Sequence, residues 1–528
     1  MTYLAVPIAA ETLDEADRQI GRAVVAGAEM LELRTDYLAE LTREAVIGLL
    51  AGIRERITPS LPVIVTCRDP REGGAKPYPE AKRLDVLVAA IEAGAEFVDV
   101  EYANFRRPEY GEAIRRALAA QPRTRLILST HNFEREFPDI RRLQRDIRSA
   151  QRDAVPKLAY KANHIETCFD ALELLREAEG DCLVLCMGEV GTISRVLAKK
   201  FGGLVTFASI DEQAATAPGQ LTVHTLKDLY RFDSIGPETQ LFGVIADPVA
   251  HSLSPAIHNA CFTEANVDAL YLPLLVQGGA QGFDAFLDGV LARPWLGFRG
   301  FSITIPHKHS ALEYVRRKGG FIDPLTEKIG AANTLLLGGQ RQAQPADGLA
   351  LSAYNTDYTG ALDAITTGMG ADRKALRDMR VAVVGAGGVS RAIVAGLTDA
   401  GARVTIYNRT VERAEALAGE FGADSAGLDA LTRPDAELIV NCTSIGMHPH
   451  VDASPVPPEA IRSGMTVFDT VYNPAETLLL RQAKAAGATA IDGITMFVNQ
   501  AAAQFHLFTG RSADTAIMRD VVLNTLRG

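Results

Sequence analysis

A lysine inside an apolar run of the N-terminal half is the first residue whose type and setting could do chemistry. Lys157 stands in the segment VPKLAYK, which predicts a buried β-strand. Burying an ammonium group is costly, so a lysine there tends to be neutral and nucleophilic, as imine formation with a ketone requires. Lys161 has the same strand parity and lies nearer the strand end. The pattern alone leaves both lysines as candidates.

The elements that must position this lysine repeat along the first half. Between residue 3 and about residue 210, eight short apolar runs alternate with segments whose apolar residues have helical spacing. This alternation predicts a (β/α)8 barrel, and an open doubly wound sheet with fewer strands is the competing architecture. A barrel carries its chemistry at the C-terminal ends of its strands.

Polar residues stand at those predicted strand ends. They are Glu32, Arg34, Asp36, Arg68, Glu72, His131 and Arg195. Each alone is more often a surface, ion-pair or hydrogen-bonded structural residue, but together they would face one barrel mouth. A histidine there suits proton transfer because its unperturbed pKa lies near neutrality.

The motifs around these residues resemble a known family. The segments VPKLAYKAN, ILSTHNF, VTCRDPREGG, LELRTD, GTISR and TAPGQ occur in the order seen in type I 3-dehydroquinate dehydratases, and they span nearly all of residues 1–225. The resemblance implies that Lys157, rather than Lys161, is the Schiff-base lysine. It also implies that His131 is the general acid and base and that Glu72 is its supporting carboxylate.

The same resemblance implies a pocket that converts 3-dehydroquinate to 3-dehydroshikimate. The implied substrate-binding residues are Glu32, Arg34, Arg68, Arg195, Thr216 and Gln220. Thr216 departs from the serine that the family commonly has before APGQ. Because the hydroxyl is kept, we expect a retuned loop and retained activity.

A glycine-rich turn is the sharpest local signal of the second half. In RVAVVGAGGVSRAIVAGL a buried strand runs into a turn and then into a helix, as a dinucleotide-binding site requires. We expect Gly385, Ala386, Gly387 and Gly388 to face the pyrophosphate. Ser390 stands where the dinucleotide fingerprint has Gly or Ala, so the match is imperfect.

The end of the next predicted strand indicates which cofactor binds. Asn408, Arg409 and Thr410 stand there, with Arg413 one turn further on, where an NAD site would carry Asp or Glu. A carboxylate repels a 2′-phosphate, whereas guanidinium groups bind it through charge-assisted hydrogen bonds. The sequence therefore predicts NADP(H), and a solvated helix start is the alternative interpretation of the two arginines.

Seven further motifs resemble the shikimate dehydrogenase family over about residues 241–528. They are ADPVAHSLSPAIHN, FSITIPHK, IGAANT, YNTDYTG, NCTSIGM, DTVYNP and DGITMFVNQAA. The resemblance implies that Lys308 and Asp357 form the catalytic pair, with Lys308 the proton donor. By the same resemblance Met496 borders the nicotinamide.

The resemblance also implies how the second half binds its substrate. Ser252 and Ser254 would bind a carboxylate, although Ser254 before a proline would also serve as a helix N-cap. Thr304, Asn333 and Gln500 would bind hydroxyls. Ser302 replaces the asparagine that is usual two positions before that threonine, which could alter local hydrogen bonding.

The domain organisation follows from these motifs. We expect a barrel over 1–232, a linker over 233–240, a substrate lobe over 241–371 completed by 491–528, and an NADP-binding Rossmann lobe over 372–490. The predicted fold class is α/β throughout. The two resemblances together imply consecutive reactions, with 3-dehydroquinate, 3-dehydroshikimate and shikimate as the small-molecule ligands.

Composition restricts the other partners. The 528 residues are 47% hydrophobic and 23% charged, which is typical of globular proteins, and the net charge of -11 argues against nucleic acid or an anionic membrane. No long apolar stretch and no basic leader occur, so we expect a cytoplasmic protein. The six cysteines are dispersed and His448 and His450 stand in a proline-containing loop, so we expect no metal.

Three alternatives to the two-reaction enzyme remain open at this stage. A non-catalytic regulator built from the same domains could lack catalytic residues, but Lys157, His131, Lys308 and Asp357 are all in place. The barrel could be another Schiff-base enzyme such as an aldolase. The second half could prefer quinate, although both serines of SLSP favour shikimate.

Overall fold

The computed structural model describes residues 2–57, 60–250, 252–338 and 350–527. By contact density the chain forms two compact units. The first comprises Met1–Thr239, Leu274–Gln277 and Ala285–Ala292, and the second comprises Gln240–Pro273, Gly278–Asp284 and Arg293–Gly528. The predicted domain bounds stay predictions, and residues 339–349 of the expected substrate lobe lie outside the described residues.

Eight parallel strands form the centre of the first unit. They are β1 (Tyr3–Ile8), β2 (Met30–Arg34), β3 (Val63–Thr66), β4 (Phe97–Glu101), β5 (Arg125–Asn132), β6 (Val155–Lys161), β7 (Leu183–Met187) and β8 (Val205–Phe207). Their order is β7-β6-β5-β4-β3-β2-β1-β8. At the remaining seam the Leu204 N–H donates to the Cys182 carbonyl at 3.0 Å. The predicted (β/α)8 barrel is confirmed, and the open sheet is not found.

Helices alternate with these strands. They are α1 (Leu13–Ala26), α2 (Arg43–Arg56), α3 (Glu80–Glu92), α4 (Tyr102–Phe105), α5 (Pro108–Ala120), α6 (Ile140–Ala150), α7 (Glu166–Glu177) and α8 (Thr192–Val196). Local sequence sets their ends. The side chains of Thr12 and Thr42 cap α1 and α2 by accepting from the backbone N–H groups of Glu15 and Ala45. Because all strands run parallel, their C-terminal ends meet at one mouth.

The second unit begins with a mixed six-stranded sheet. Its strands are β9 (Gln240–Ala246), β10 (Ala269–Leu275), β11 (Phe298–Ile303), β12 (Phe321–Ile322), β13 (Thr334–Leu337) and β14 (Leu351–Tyr354). Their order is β10-β9-β11-β13-β14-β12, and β13 is antiparallel to both of its neighbours. The accompanying helices are α9 (Ser254–Glu264), α11 (Lys308–Arg317), α12 (Pro324–Ile329) and α13 (Thr356–Met369). Helix α10 (Gly279–Leu291) follows β10 in the chain, and its residues from Ala285 onward belong to the first unit.

A parallel six-stranded sheet forms the rest of the second unit. Its strands are β15 (Arg380–Val384), β16 (Arg403–Asn408), β17 (Asp424–Gly427), β18 (Leu438–Asn441), β19 (Thr466–Asp469) and β20 (Thr489–Ile491). The helices are α14 (Gly388–Asp399), α15 (Val411–Phe421), α16 (Leu478–Ala485), α17 (Gly493–Thr509) and α18 (Thr515–Arg527). The order β17-β16-β15-β18-β19-β20 reverses direction between β15 and β18. Dinucleotides bind at such a switch point, at the carboxyl ends of the strands.

Helices α13 and α17 connect the two sheets of the second unit. They pack closely against each other, and α17 also contacts β11 and β13 of the mixed sheet. Residues of α17 can therefore reach the region between the sheets. Among the described residues, no helix combines the length and the apolar character needed to cross a membrane.

Candidate active sites

A cavity lies at the mouth of the barrel. All the barrel residues that the sequence predicts for catalysis or substrate binding line it, namely Glu32, Arg34, Arg68, Glu72, His131, Lys157, Arg195, Thr216 and Gln220. Leu185, Met187 and Phe207 add apolar wall. The structure thus brings together side chains from six strands or their following loops. The rival Lys161 is exposed at the end of β6 and is not part of the lining.

Lys157 points into this cavity from β6 and is 5% exposed. Its Nζ lies 2.7 Å from Oδ2 of Asp99 and 3.6 Å from Oε1 of Glu32. The ring of Phe207 lies 4.5 Å away. The sequence argument for a neutral amine considered only apolar neighbours and therefore missed these carboxylates. The buried lysine is held in an ion pair.

Asp99 is the centre of this charge cluster, and sequence reasoning missed it. Its second partner is Arg68, whose guanidinium lies 2.9 Å from Asp99 and 3.0 Å from Glu101. Ser129 donates a further hydrogen bond to Asp99 at 2.6 Å. Burial raises the pKa of Asp99, but the charges of Arg68 and Lys157 outweigh burial and hold that pKa well below its usual range. Asp99 is therefore an ionised carboxylate shared by two cations.

His131 and Glu72 form a dyad at the same mouth. Nδ1 of His131 lies 3.0 Å from Oε2 of Glu72, and the backbone N–H of His131 donates to the same oxygen at 3.0 Å. Burial raises the pKa of Glu72 to about 7. Burial, followed by the nearby cations Arg68 and Lys157, lowers the pKa of His131 well below its usual value. The imidazole is neutral, and an Nδ1–H donated to Glu72 leaves Nε2 free to accept a proton.

Arg195 differs from the other arginines of the cavity. It is 2% exposed, its guanidinium donates only a long 3.4 Å bond to the Pro218 carbonyl, and within the described ranges no carboxylate pairs with it. Burial lowers the pKa of Arg195 to about 10. Arg34, in contrast, lies 2.8 Å from Asp36. A buried cation without a partner is costly, so Arg195 is a ready site for an anion.

The loop with the Thr216 departure is internally braced. Both the backbone N–H and the hydroxyl of Thr216 donate to Oε1 of Gln220, at 2.7 and 3.2 Å. The threonine hydroxyl thus fixes the amide of Gln220 so that its NH2 group remains available. That the departure keeps the loop functional stays a prediction.

A second cavity lies in the second unit. Eight residues that the sequence predicts line it, namely Ser252, Ser254, Thr304, Lys308, Asn333, Asp357, Met496 and Gln500. Five polar or aromatic lining residues were not predicted as site residues, namely Ser302, Thr470, Tyr472, Phe497 and Gln504. Gln504 follows Gln500 by one turn on α17, so helical spacing was a signal that could have found it.

Lys308 and Asp357 meet at the first turns of two helices. Nζ of Lys308 lies 2.6 Å from Oδ2 of Asp357, and Nδ2 of Asn333 donates to the other oxygen at 2.9 Å. The Asn355 side chain caps α13 by accepting from the Asp357 N–H. The pair can hold a proton at Nζ while Asn333 fixes the carboxylate plane.

Ser254 does not cap α9, so the N-cap interpretation is wrong. The helix begins at Ser254 itself, and its cap position is Leu253, which makes no side-chain bond. Ser252 Oγ accepts from the Ser254 N–H at 3.4 Å. Both serines line the cavity, where their hydroxyls can bind a substrate group.

The glycine turn fits a dinucleotide. Gly385 has φ +110°, and a Cβ there would stand 3.0 Å from the Thr443 side chain, so a larger residue would be strained. Among the described residues, and apart from the adjoining backbone, no atom lies within 4 Å of the Cβ positions of Gly387 and Gly388, which leaves the start of α14 open to a phosphate. The Ser390 departure has a structural role, because its hydroxyl accepts from the Gly387 N–H at 3.1 Å.

The end of β16 fits a 2′-phosphate. Nδ2 of Asn408 donates to the Thr410 carbonyl at 2.8 Å and shapes the turn. Arg409 and Arg413 are exposed, and no ion pair to either is found in the part of the chain that the structure describes.

His448 and His450 are exposed, and no group of three or more metal-binding side chains occurs among the residues described.

Four known family or domain models match successive parts of the chain. The type I 3-dehydroquinase model matches residues 4–237. The shikimate dehydrogenase substrate binding domain matches 244–335, and the shikimate / quinate 5-dehydrogenase model matches 370–451. The shikimate 5′-dehydrogenase C-terminal domain matches 493–523.

Individual proteins are similar to the whole chain or to part of it. A chloroplastic bifunctional 3-dehydroquinate dehydratase/shikimate dehydrogenase from Arabidopsis thaliana is 35% identical over 528 residues, which cover 97% of this chain and 83% of the relative. An NADP(+) shikimate dehydrogenase from Methanosarcina mazei is 40% identical over 54% of this chain and 99% of its own length. A solved shikimate 5-dehydrogenase from Thermus thermophilus, in complex with NADP(H) and shikimate, is 34% identical with a TM-score of 0.46 over 54% of this chain and 99% of that one.

Proposed function

The chain belongs to the family of bifunctional 3-dehydroquinate dehydratase/shikimate dehydrogenases, and from that premise we propose how its residues perform the two reactions. The protein is a lyase joined to an NADP-dependent oxidoreductase of the shikimate pathway. The proposal rests on one observation, which is that each unit contains a cavity lined by a complete set of catalytic side chains. One set is the buried lysine beside the His131–Glu72 dyad, and the other is the Lys308–Asp357 pair.

The first reaction begins with the amine of Lys157. Nζ attacks the ketone carbon of 3-dehydroquinate and gives up two protons, which end on the carbonyl oxygen. That oxygen leaves as water, and an iminium with one N–H remains. The iminium remains cationic, so Asp99 at 2.7 Å can pair with it as it pairs with the ammonium. This carboxylate therefore stabilises the charge on nitrogen at both stages.

His131 then moves the protons of the elimination. Nε2 removes the proton next to the iminium carbon, and the bonding pair flows toward the iminium nitrogen. The same imidazole protonates the departing hydroxyl, which leaves as water while the carbon–carbon double bond forms. Water hydrolyses the iminium, releases 3-dehydroshikimate and restores Lys157. Glu72 holds Nδ1–H through both steps.

We propose that the charged and polar residues lining the barrel cavity orient the substrate. We assign the substrate carboxylate to Arg195, since an unpartnered buried guanidinium gains most from an anion. The hydroxyls are assigned to the remaining polar residues of the cavity, namely Glu32, Arg34, Arg68, Thr216 and Gln220.

The second reaction reduces 3-dehydroshikimate to shikimate. Bound NADPH supplies the hydride. The residues that would hold this cofactor are Gly385, Ala386, Gly387, Gly388, Asn408, Arg409, Thr410, Arg413 and Met496. Lys308 donates the proton from Nζ to the oxygen that hydride addition leaves, and Asp357 orients that ammonium.

The substrate of the second site is positioned by neutral groups. Ser252 and Ser254 bind the carboxylate, and Thr304, Asn333 and Gln500 bind the hydroxyls. We propose shikimate rather than quinate as the product because both serine hydroxyls are present and neither is used as a helix cap. Kinetics with shikimate and quinate as substrates of the reverse reaction test this choice.

One assay tests the whole proposal. The purified chain, supplied with 3-dehydroquinate and NADPH, should oxidise NADPH and form shikimate. Supplied with 3-dehydroquinate alone, it should accumulate the absorbance of a conjugated enone. If neither signal appears, the proposed function is wrong. The cytoplasmic location stays a prediction, since the relative from Arabidopsis thaliana is described as chloroplastic.

A further inference from the structure

A chain of buried hydrogen bonds runs along one wall of the second cavity, which Ser302, Asn333 and Gln504 line. The Tyr271 hydroxyl donates to Ser302 at 2.5 Å, and the Ser302 hydroxyl donates to Oε1 of Gln504 at 2.8 Å. Nε2 of Gln504 donates to the Thr334 hydroxyl at 3.1 Å, which donates to Oδ1 of Asn333 at 2.7 Å. All five side chains are at most 5% exposed. The donors point in one direction, from Tyr271 toward Asn333.

Backbone groups fix the direction of this chain. Nε2 of Gln504 lies 3.2 Å from the Asn333 carbonyl, so a flipped amide would place Oε1 against that acceptor. The backbone N–H of Thr356 donates to Oδ1 of Asn333 at 2.8 Å, so the NH2 group of Asn333 must face the other way. There it donates to Asp357 at 2.9 Å. The chain therefore ends on the Lys308–Asp357 pair.

The far end of the chain rests on a rigid base. The Tyr271 ring stacks on His258 at a centroid distance of 4.4 Å and an angle of 7°. Burial lowers the pKa of His258 to about 3, so the ring beneath Tyr271 is neutral. A tyrosine held in this way keeps its hydroxyl in place and fixes the hydroxyl of Ser302.

We propose that Tyr271, Ser302 and Gln504 are positioning residues for the proton transfer of the dehydrogenase. They act through Asn333, whose orientation sets the carboxylate of Asp357 and, through it, the ammonium of Lys308. This inference rests on the proposed function of that pair. It also gives the Ser302 departure a role, because a hydroxyl that both accepts and donates can continue the chain.

The loss of the Ser302 hydroxyl is the most direct test. In Ser302→Ala, Oε1 of Gln504 lies buried without its donor, so the amide can reorient and release Asn333. We expect kcat for reduction of 3-dehydroshikimate to fall about tenfold. The KM for NADPH should stay unchanged, because none of the five residues of the chain belongs to the glycine turn or to the end of β16. Ser302→Thr keeps the hydroxyl and should restore most of the loss.

Two further variants keep the test interpretable. Tyr271→Phe removes one oxygen at the start of the chain and should lower kcat in the same direction, so it serves if Ser302→Ala does not fold. Tyr314→Phe changes another buried tyrosine of the same unit, whose ring packs on Phe283 outside the chain, and should leave kcat unchanged.

A double mutant shows whether Ser302 acts through Gln504. Gln504→Leu removes the amide, and adding Ser302→Ala to it should cause no further loss of kcat. If the two losses multiply, Ser302 acts independently and the inference is wrong.

The remaining outcomes are equally decisive. The inference is overturned if Ser302→Ala keeps full kcat, if it changes only the KM for 3-dehydroshikimate, or if Ser302→Thr is as slow as Ser302→Ala. If the unmodified chain does not reduce 3-dehydroshikimate with NADPH at all, the proposed function itself fails and the inference fails with it. The unmodified chain is measured first, so the two failures are distinguished.

Discussion

In the barrel cavity, Lys157, Arg68 and Asp99 form ion pairs whose side chains are at most 6% exposed. In the cavity of the second unit, the Lys308–Asp357 pair is 27% and 12% exposed and is surrounded by hydroxyls and amides. This difference in burial and charge follows from the source of the reactive group, which is the protein in one site and a cofactor in the other. The barrel must make its own electron sink from a lysine, and charges on buried side chains interact strongly. The dehydrogenase receives its reductant from a cofactor, so its residues need only orient and donate one proton.

The comparison predicts different sensitivities to substitution. Changes in the barrel should remove chemistry outright or leave a buried charge without a partner. Changes in the dehydrogenase should lower rates or affinities in smaller steps.

The largest effect is expected at Lys157. Lys157→Met removes the nucleophile and should lower dehydratase kcat at least about 10⁴-fold, while reduction of 3-dehydroshikimate stays unchanged. Lys161→Met, on the exposed end of the same strand, is the matched control and should keep dehydratase activity. Separate assays of the two reactions measure this. Equal losses in the two variants would remove the assignment of Lys157.

Substitutions of Arg195 and Arg34 should both weaken substrate binding but should differ in their effect on the melting temperature. Arg195→Met should weaken binding of 3-dehydroquinate about 100-fold without lowering the melting temperature, because it removes a buried cation that has no carboxylate partner. Arg34→Met should also weaken binding, but it leaves the buried Asp36 carboxylate without its cation, with backbone N–H groups as its remaining donors, and should lower the melting temperature. Steady-state kinetics and thermal unfolding test both. A large thermal loss in Arg195→Met would contradict this account.

The cofactor arginines should give a smaller effect. Replacing both Arg409 and Arg413 with alanine should raise the KM for NADPH about 30-fold and leave the KM for NADH nearly unchanged, because only NADPH carries the 2′-phosphate. Arg403→Ala, at the other end of the same strand and paired with Asp378, is the control. An equal rise for both cofactors would show that these arginines do not recognise the phosphate.

The smallest effect is a pH dependence set by the His131–Glu72 dyad. The pKa of Glu72 is raised from 4.5 to about 7, so as the pH falls through 7 the carboxylate takes a proton and no longer accepts Nδ1–H. Dehydratase kcat/KM should fall about tenfold from pH 8 to pH 6, with an apparent pKa that belongs to the pair.

Stability should change in the opposite direction over part of this range. Folded Glu72 keeps its proton between pH 4.5 and about 7 while the unfolded chain loses it, so its contribution to stability is lost as the pH rises. Glu72→Gln should flatten both profiles. A dehydratase rate that is independent of pH in the unmodified chain would contradict the dyad.

Much of the fold was accessible from sequence because it depends on periodicity. The alternation of apolar runs and amphipathic segments predicted the barrel, and the strand–turn–helix pattern predicted the glycine turn before α14. The rule that parallel strands present their C-terminal ends at one mouth then placed Lys157, His131 and Arg195 together.

Residues whose role depends on register across strands were not accessible in this way. Asp99 lies in the middle of β4, and strand β5 lies between β4 and the strand of Lys157. Ser129 of β5 pairs with Lys157 on one side and with Glu101 of β4 on the other, so this register brings Asp99, two residues before Glu101, near the lysine. Ser302 was visible as a departure, but its hydrogen bonds join β10, β11 and α17, which are far apart in the chain. Such contacts are properties of the packed molecule.

The central claim, that Lys157 forms the imine, is tested most directly by reducing the protein with borohydride in the presence of 3-dehydroquinate and locating the label by mass spectrometry. The account predicts one substrate-derived adduct, on Lys157, with dehydratase activity lost and NADPH-dependent reduction retained. An adduct on Lys161, or no adduct in a protein that still dehydrates 3-dehydroquinate, would contradict it.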